Sequence, residues 1–313
     1  MLLGGLILAI WTSGAHATSL PDGRAYELVS RYEEAGHEVG LTGSFAFPIE
    51  GAANGEAFDW LSLGACCGAV SGSDDVYRSE RGPNGWNTKA LTPAPPEEFA
   101  GILENDGFPV FMAENLESTV FQLEGSYSPG DRRPPHSGSR DLYLQSPSGS
   151  LSWISQGPTG AATEVAKPAF ADATPNANEV VFSTQEALTS NATGISEGED
   201  YLYLRNAANE TTELLDVNEK GELLTPYSAS LGSSLRLEGN RNVPAGTVTH
   251  AISADGTRIF FEVPEEAGGS PAHLYMRDLT TQTTTPIDDP ASPSTARYEG
   301  ASANGSLVFF TSE

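Results

Sequence analysis

The chain repeats one phrase, and that repeat limits what it can fold into. The segments "ISADGTRIFFEV" (252–263) and "ASANGSLVFFTS" (301–312) share a small polar residue, an Asp-Gly or Asn-Gly pair, one or two polar residues and an apolar run. Weaker copies read "DATPNANEVVFST" (172–184), "FMAENLESTVFQL" (111–123) and "EGAANGEAFDWLS" (50–62), aligned by Asn54, Asn115, Asn176, Asp255 and Asn304. Their spacing is irregular, as insertions in surface loops produce. Leu116 and Ala177 replace the turn glycine, which makes two copies weaker.

A second phrase follows each of the first four copies: "DVYRSE" (75–80), "DLYLQS" (141–146), "YLYLRN" (201–206) and "HLYMRD" (273–278). Tyr77, Tyr143, Tyr203 and Tyr275 share one register, each after Val or Leu. A turn and a further strand come next, read from "WNTKALT", "LSWIS", "TTELLD" and "TTTPID", and a short extended segment such as "GTVTHAIS" (246–253) precedes each turn phrase. The unit is four strands joined by turns. The runs "VVF", "IFF" and "VFF" lack polar alternation, so these strands need cover on both faces. Radial stacking of four-stranded blades supplies it. The fold class is all-β, a β-propeller of four-stranded antiparallel blades, with about four complete blades and a partial fifth. A double-sheet sandwich is the runner-up, but it does not require the phrase five times. The partial fifth copy makes the chain read as an incomplete propeller. "GRAYELVS" (23–30), a strand candidate with no blade of its own, is expected at the outer edge of the terminal blade or waiting for it.

Composition sets the compartment and the partners. Residues 1–17 read as a signal peptide: an apolar run from Leu2 to Trp11 ends at Ala15-His16-Ala17, which fits small-x-small cleavage, and no Lys or Arg precedes the run. Residues 18–313 form the propeller domain. The expected localisation is secreted, at the cell surface or envelope, with no membrane insertion after cleavage. A net charge of −26 repels phosphate backbones, which argues against a nucleic-acid partner. The two cysteines, Cys66 and Cys67, are adjacent, so no loop-closing disulfide framework exists. They are read as small residues in a Gly/Ala-rich connection, with a vicinal disulfide as the alternative.

The unit "SADGTRIFF…LYMRDLTTQTTTPI" resembles the WD-repeat-like blades of TolB-type propellers. More closely, "LPDGRAYELVS" (20–30) and "YRSERGPNGWNTKALTP" (77–93) are similar to a group of exported, largely uncharacterised actinobacterial propeller proteins. The resemblance covers residues 20–313, and it implies a fold without implying an activity.

No catalytic signature is present: no G-x-S-x-G elbow, H-E-x-x-H helix, P-loop or G-x-G-x-x-G. No catalytic, cofactor-binding or metal-binding residue is assigned, and no cofactor is expected. His16 leaves with the signal, and His37, His136, His250 and His273 lie in separate segments without ligand spacing. Asp74, Asp75, Glu197, Glu199 and Asp200 offer oxygens before two of the tyrosine strands, but without the D-x-D-x-D pattern of calcium loops they read as solvated turns. The segment 126–140 gathers Arg132, Arg133 and Arg140 into a basic island read as a flexible loop, and Asn191, Asn209 and Asn304 fit N-x-[ST]. Two functions follow: a non-catalytic platform for a protein or glycan partner, or a propeller hydrolase or lyase with its site over the central channel or in a further C-terminal region. Two carboxylates and a His or Arg converging at the channel mouth would favour the enzyme.

Overall fold

The computed structural model describes residues 26–30, 39, 50–62, 66–69, 75–94, 108–131, 140–158, 168–232, 250–267, 271–292 and 295–312. Residues 1–17, read above as a signal peptide, lie outside them. Among the described residues eighteen strands form five antiparallel sheets, each following the order of the chain. Blade 1 holds β1 (Glu50–Gly51), β2 (Ala57–Ser62), β3 (Asp75–Gly82) and β4 (Gly85–Ala90). Blade 2 holds β5 (Phe108–Met112), β6 (Thr119–Glu124), β7 (Arg140–Gln145) and β8 (Leu151–Trp153). Blade 3 holds β9 (Ala169–Ala173), β10 (Glu179–Thr184), β11 (Tyr201–Asn206) and β12 (Thr211–Leu214). Blade 4 holds β13 (Ser230–Leu231), β14 (Arg258–Pro264), β15 (Ala272–Asp278) and β16 (Thr283–Pro286). Blade 5 holds β17 (Ala296–Ala301) and β18 (Val308–Ser312). The sheets are the blades of a β-propeller.

The five repeated turns are built by the same bonds. The side-chain oxygen of Asn54, Asn115, Asn176, Asp255 or Asn304 accepts the amide two residues on, at 2.9–3.1 Å. The next residue takes positive φ: Gly55, Leu116, Ala177, Gly256 and Gly305 lie between 56° and 73°. Leu116 and Ala177 therefore make the same turn as the glycines, with their side chains buried in the core. The Asx bond and the flanking ladder over-determine the turn, so a left-handed Leu or Ala is tolerated. At Gly256 the residue type matters twice, because a Cβ there would also lie 2.9 Å from the Glu179 carboxylate of the preceding blade.

The second and third strands of blades 1 to 4 meet through one aromatic pair each. Trp60 lies opposite Tyr77, Phe121 opposite Tyr143, Phe182 opposite Tyr203 and Phe261 opposite Tyr275. Three of these pairs stack, with ring centroids 4.7–6.2 Å apart. Tyr77, Tyr143 and Tyr203 are fully buried, as the repeat requires, while Tyr275 is half-buried. The residues next to the pair point to the other face of each sheet. Phe121 and Tyr143 share one core with Leu61 and Val76 of blade 1. Phe182 and Tyr203 share the next with Val120 and Leu142 of blade 2. Phe261 of blade 4 joins Val181 and Leu202 of blade 3 in the third. These three seams thus set the central aromatic pair of one blade against aliphatic residues of the preceding blade, while between blades 4 and 5 Phe260 meets Tyr298 at 5.8 Å.

Polar bonds cross the same seams. Arg78 and Asp59 form a buried two-pronged pair at 2.7 Å in blade 1, and Arg78 reaches Thr119 of blade 2. Gln122 donates to the Pro168 carbonyl, Thr284 to the Val217 carbonyl, and Glu262 accepts the Tyr298 amide. At the turn end, the Ala53 amide donates to the Glu114 carbonyl, Glu114 to Pro175 and Ala254 to Ala303. Pro175 has no N–H, which interrupts this chain between blades 3 and 4.

Three expectations need correction. Of the expected inner strand of blade 4, residues 246–249 lie outside those described, and within 250–253 only Ile252 pairs. Ser230 and Leu231 pair with Glu262 and Phe261, and the ladder resumes at Ile252 opposite Ile259. Blades 2, 3 and 5 carry a one-residue bulge at the equivalent point, at Val110, Ala171 and Glu299. Blade 4 admits a whole segment there, whose residues 233–249 lie outside those described. Residues 26–30 of the "GRAYELVS" segment form no strand. Glu27 instead meets Arg81 and Trp86 on the β3–β4 hairpin, because that hairpin offers a cation and an indole N–H to one carboxylate. Among the described residues β18 pairs only with β17, and Phe309 and Phe310 are 62% and 39% exposed. The third correction is that Cys66 and Cys67 are joined in a vicinal disulfide. Cys67 takes positive φ and its carbonyl accepts the Ala90 amide on the edge strand β4.

Tyr143→Ala is expected to lower unfolding stability by about 3–5 kcal/mol, as large core truncations do. Tyr143→Phe is expected to cost about 1–3 kcal/mol, because the Tyr127 amide loses its acceptor. Urea titration of both variants checks the order, and a Phe variant less stable than the Ala variant would contradict it.

Candidate functional site

Antiparallel order puts the first and third turns of every blade at one end of the sheets. The loops between second and third strands, and the connections between blades, share the opposite end. This loop end is built from recurring stations. The first is the tyrosine hydroxyl. It accepts the Cys66 amide at Tyr77, the Tyr127 amide at Tyr143 and the Leu188 amide at Tyr203. Tyr143 also donates to Asp131, and Tyr203 to the Glu186 carbonyl. The tyrosine therefore holds the loop above it as well as the core below.

The second station is a side chain just past the fourth strand. It accepts the amide of the residue before the tyrosine: Thr92 from Val76, Ser155 from Leu142 and Asp288 from Leu274, at 2.8–3.0 Å. Asp216 holds the equivalent place in blade 3. Neither of its oxygens makes a hydrogen bond of ordinary geometry, although the Leu202 amide acts on it. Asp216 is fully buried, and burial pushes its carboxyl up to about 7 against the pull of nearby amides.

The third station lies two residues before each tyrosine, at Asp75, Asp141, Tyr201 and His273. Ser155 donates to Asp141 at 2.6 Å. His273 touches Asp288 through Nδ1 at 2.7 Å and Glu265 through Nε2 at 2.9 Å. Burial works against the imidazolium, but the hydrogen bonds and charges of Asp288 and Glu265 outweigh it and raise the His273 pKa. Two carboxylates and a histidine do converge here, unforeseen from their spacing. The His273 side chain is 4% exposed with both ring nitrogens engaged, so it has no atom free for a substrate.

The other sequence candidates are dispersed. His37 and His136, Arg132 and Arg133, and Asp74 lie outside the described residues. Arg140 lies over the Phe108 ring at 5.0 Å. Glu199 accepts from the amide and hydroxyl of Ser228, and Asp200 donates its amide to the same hydroxyl. His250 contacts the Ala301 carbonyl at 2.9 Å. Burial raises Asp172 of the inner strand β9 to about 6, against the Ala173 amide and the charge of His250. Among the described residues no three His, Cys, Asp or Glu side chains are grouped to hold a metal ion, and no helix is long and apolar enough to cross a membrane.

A cavity of about 530 Å³ opens at the loop end of blade 3. Asn191, Thr193, Lys220, Glu222, Thr225 and Pro226 contribute to its wall. The Thr225 hydroxyl donates to the Pro264 carbonyl at 2.7 Å, which ties this wall to the base of the blade 4 loop.

No family model matches the chain, and no curated protein matches it. Solved structures of similar fold include dipeptidyl peptidase 4 of Porphyromonas gingivalis, at 11% identity over 84% of this chain and 36% of that one, with a TM-score of 0.45. Prolyl oligopeptidase B from Galerina marginata is 13% identical over 86% of this chain and 34% of its own, with a TM-score of 0.44. The β-propeller domain of the trilobed protease from Pyrococcus furiosus is 10% identical over 86% of this chain and 80% of that domain, with a TM-score of 0.30. The chain spans about a third of the length of the first two.

Asp216 gives a signed pH prediction. Its folded pKa, about 7, lies above the ordinary value of 3.8, so the folded state is favoured while the group is protonated. That stability is complete below pH ~4 and is lost as pH rises to about 7. Asp216→Asn is expected to remove this loss and to gain on the wild type by roughly 1–3 kcal/mol at pH 8. Urea midpoints at pH 4.5 and 8 check it; a variant that gains nothing between the two would contradict it.

Proposed function

We propose that this chain is an exported, non-catalytic β-propeller that binds a protein or glycan partner at the loop end of blades 3 and 4. The blade 3 cavity is the observation that carries the reading. Its wall mixes the amide of Asn191, the hydroxyls of Thr193 and Thr225 and the opposed charges of Lys220 and Glu222. Such a wall suits a polar, hydroxyl- or amide-rich ligand better than an apolar one. The net charge of −26 disfavours nucleic acid. Support for export comes from the apolar run before Ala15-His16-Ala17, and a bridged cysteine pair suits an oxidising compartment. The blade phrases support kinship with TolB-type, WD-repeat-like propellers of actinobacterial exported proteins.

One observation favours the second reading, a hydrolase or lyase with its site at the inner strands. Burial raises Asp172 to about 6 against the charge of His250 from the next blade, and a raised acid beside a histidine is a common starting point for proton transfer.

Screening the full chain on glycan and peptide arrays separates the two. The platform reading expects retained binding that falls by about tenfold in Asn191→Ala/Lys220→Ala, with the urea midpoint unchanged. Turnover of an array substrate that Asp172→Asn abolishes would overturn it.

A further inference from the structure

The geometry points to a pH-operated clasp on the blade 4 loop, in which His273 holds Glu265 when doubly protonated and releases it when neutral. The loop leaves β14 at Pro264 and returns to β15 through Pro271. Its base is closed by the Glu265 amide, which donates to the Pro271 carbonyl at 2.9 Å, and by the Glu265 carboxylate on His273. His273 is buried on β15, with Asp288 on one side and Glu265 on the other.

The switch follows from the hydrogen count on the ring. An imidazolium carries two N–H donors and satisfies both carboxylates, whereas a neutral imidazole keeps one donor and turns a lone pair outward. On deprotonation one carboxylate must therefore face a lone pair. Asp288 is the one that keeps its bond. Its carboxylate is 8% exposed and also accepts the Leu274 amide, so it has no hydration to gain by leaving. The Glu265 carboxylate is half exposed and can turn into water. Asp288 and Glu265 are the two charged groups that act on His273, and both raise its pKa. Burial raises the half-buried Tyr275 on the same strand above its ordinary 10.0, the charges of Asp288 and Glu265 add to that, and it stays neutral throughout.

The sign is fixed. A histidine whose folded pKa is raised above 6.5 stabilises the clasp fully below that pH, and the stabilisation is lost as pH rises through the folded pKa. The clasp is therefore closed in acid and open in alkali. The Thr225 hydroxyl holds the Pro264 carbonyl beside this loop base, so the device adjoins the wall of the blade 3 cavity.

Amide hydrogen exchange of Glu265, corrected for the intrinsic pH dependence, tests it in the full chain. Protection is expected to fall by about tenfold as pH rises through the His273 titration followed by NMR, the size of a lost charge-assisted bond. Glu265→Gln should flatten that profile, because an amide offers either a donor or an acceptor to the ring. Wild-type protection that does not change across the His273 titration would overturn the proposal, as would a Glu265→Gln profile with the wild-type step. The wild-type measurement decides the matter even if the variant folds poorly.

Discussion

The structure depends on a pair of rings facing each other across the middle of each blade. An aromatic residue six positions after the turn Asn or Asp lies opposite the third-strand tyrosine, in Trp60–Tyr77, Phe121–Tyr143, Phe182–Tyr203 and Phe261–Tyr275. Because strand side chains alternate, placing the pair on one face commits the neighbouring aliphatics to the other. At the seams of blades 1–2, 2–3 and 3–4 the aromatic pair of one blade therefore meets aliphatic residues of the blade before it. The tyrosine extends its influence past the core, since its hydroxyl fastens the loop overhead in blades 1 to 3. Core packing and loop placement are thereby coupled through one residue type.

The repeat also explains where the blades differ. Equivalent positions have taken on different polar chemistry: Thr92, Ser155, Asp216 and Asp288 at one station, Asp75, Asp141, Tyr201 and His273 at another. The framework fixes the backbone at these places and leaves the side chain free to vary. Blade 3 has thereby acquired a buried acid and blade 4 a histidine between two carboxylates. Both changes sit at the loop end, beside the cavity and away from the turn end.

Local chemistry made the fold legible in the sequence. The turn residues Asn54 to Asn304 announce their Asx bonds, and the unalternated runs announce two-sided burial. Leu116 and Ala177 looked weak because the glycine rule weighs intrinsic φ preference and not the ladder that overrides it. What could not be read were contacts set by register between distant segments. Glu265, His273 and Asp288 have no motif spacing, and meet because β14, β15 and the end of β16 are neighbours. The split inner strand of blade 4 was hidden for a similar reason: "GTVTHAIS" looks like a strand, but of its described residues only Ile252 pairs, with Ile259, while Ser230 and Leu231 take Glu262 and Phe261. The bridge between Cys66 and Cys67 depends on a backbone turn that composition does not specify.

The central claim is that the seams, aromatic face on aliphatic face, hold the blades together. A double-mutant cycle between Tyr203→Ala of blade 3 and Leu142→Ala of blade 2, which share a seam, tests it most directly. The account predicts a coupling of about 0.5–3 kcal/mol in that cycle. A control cycle between Tyr203 and Leu274, which belong to different seams, should be additive to about 0.5 kcal/mol. Additivity between Tyr203 and Leu142, or equal coupling in both cycles, would contradict it.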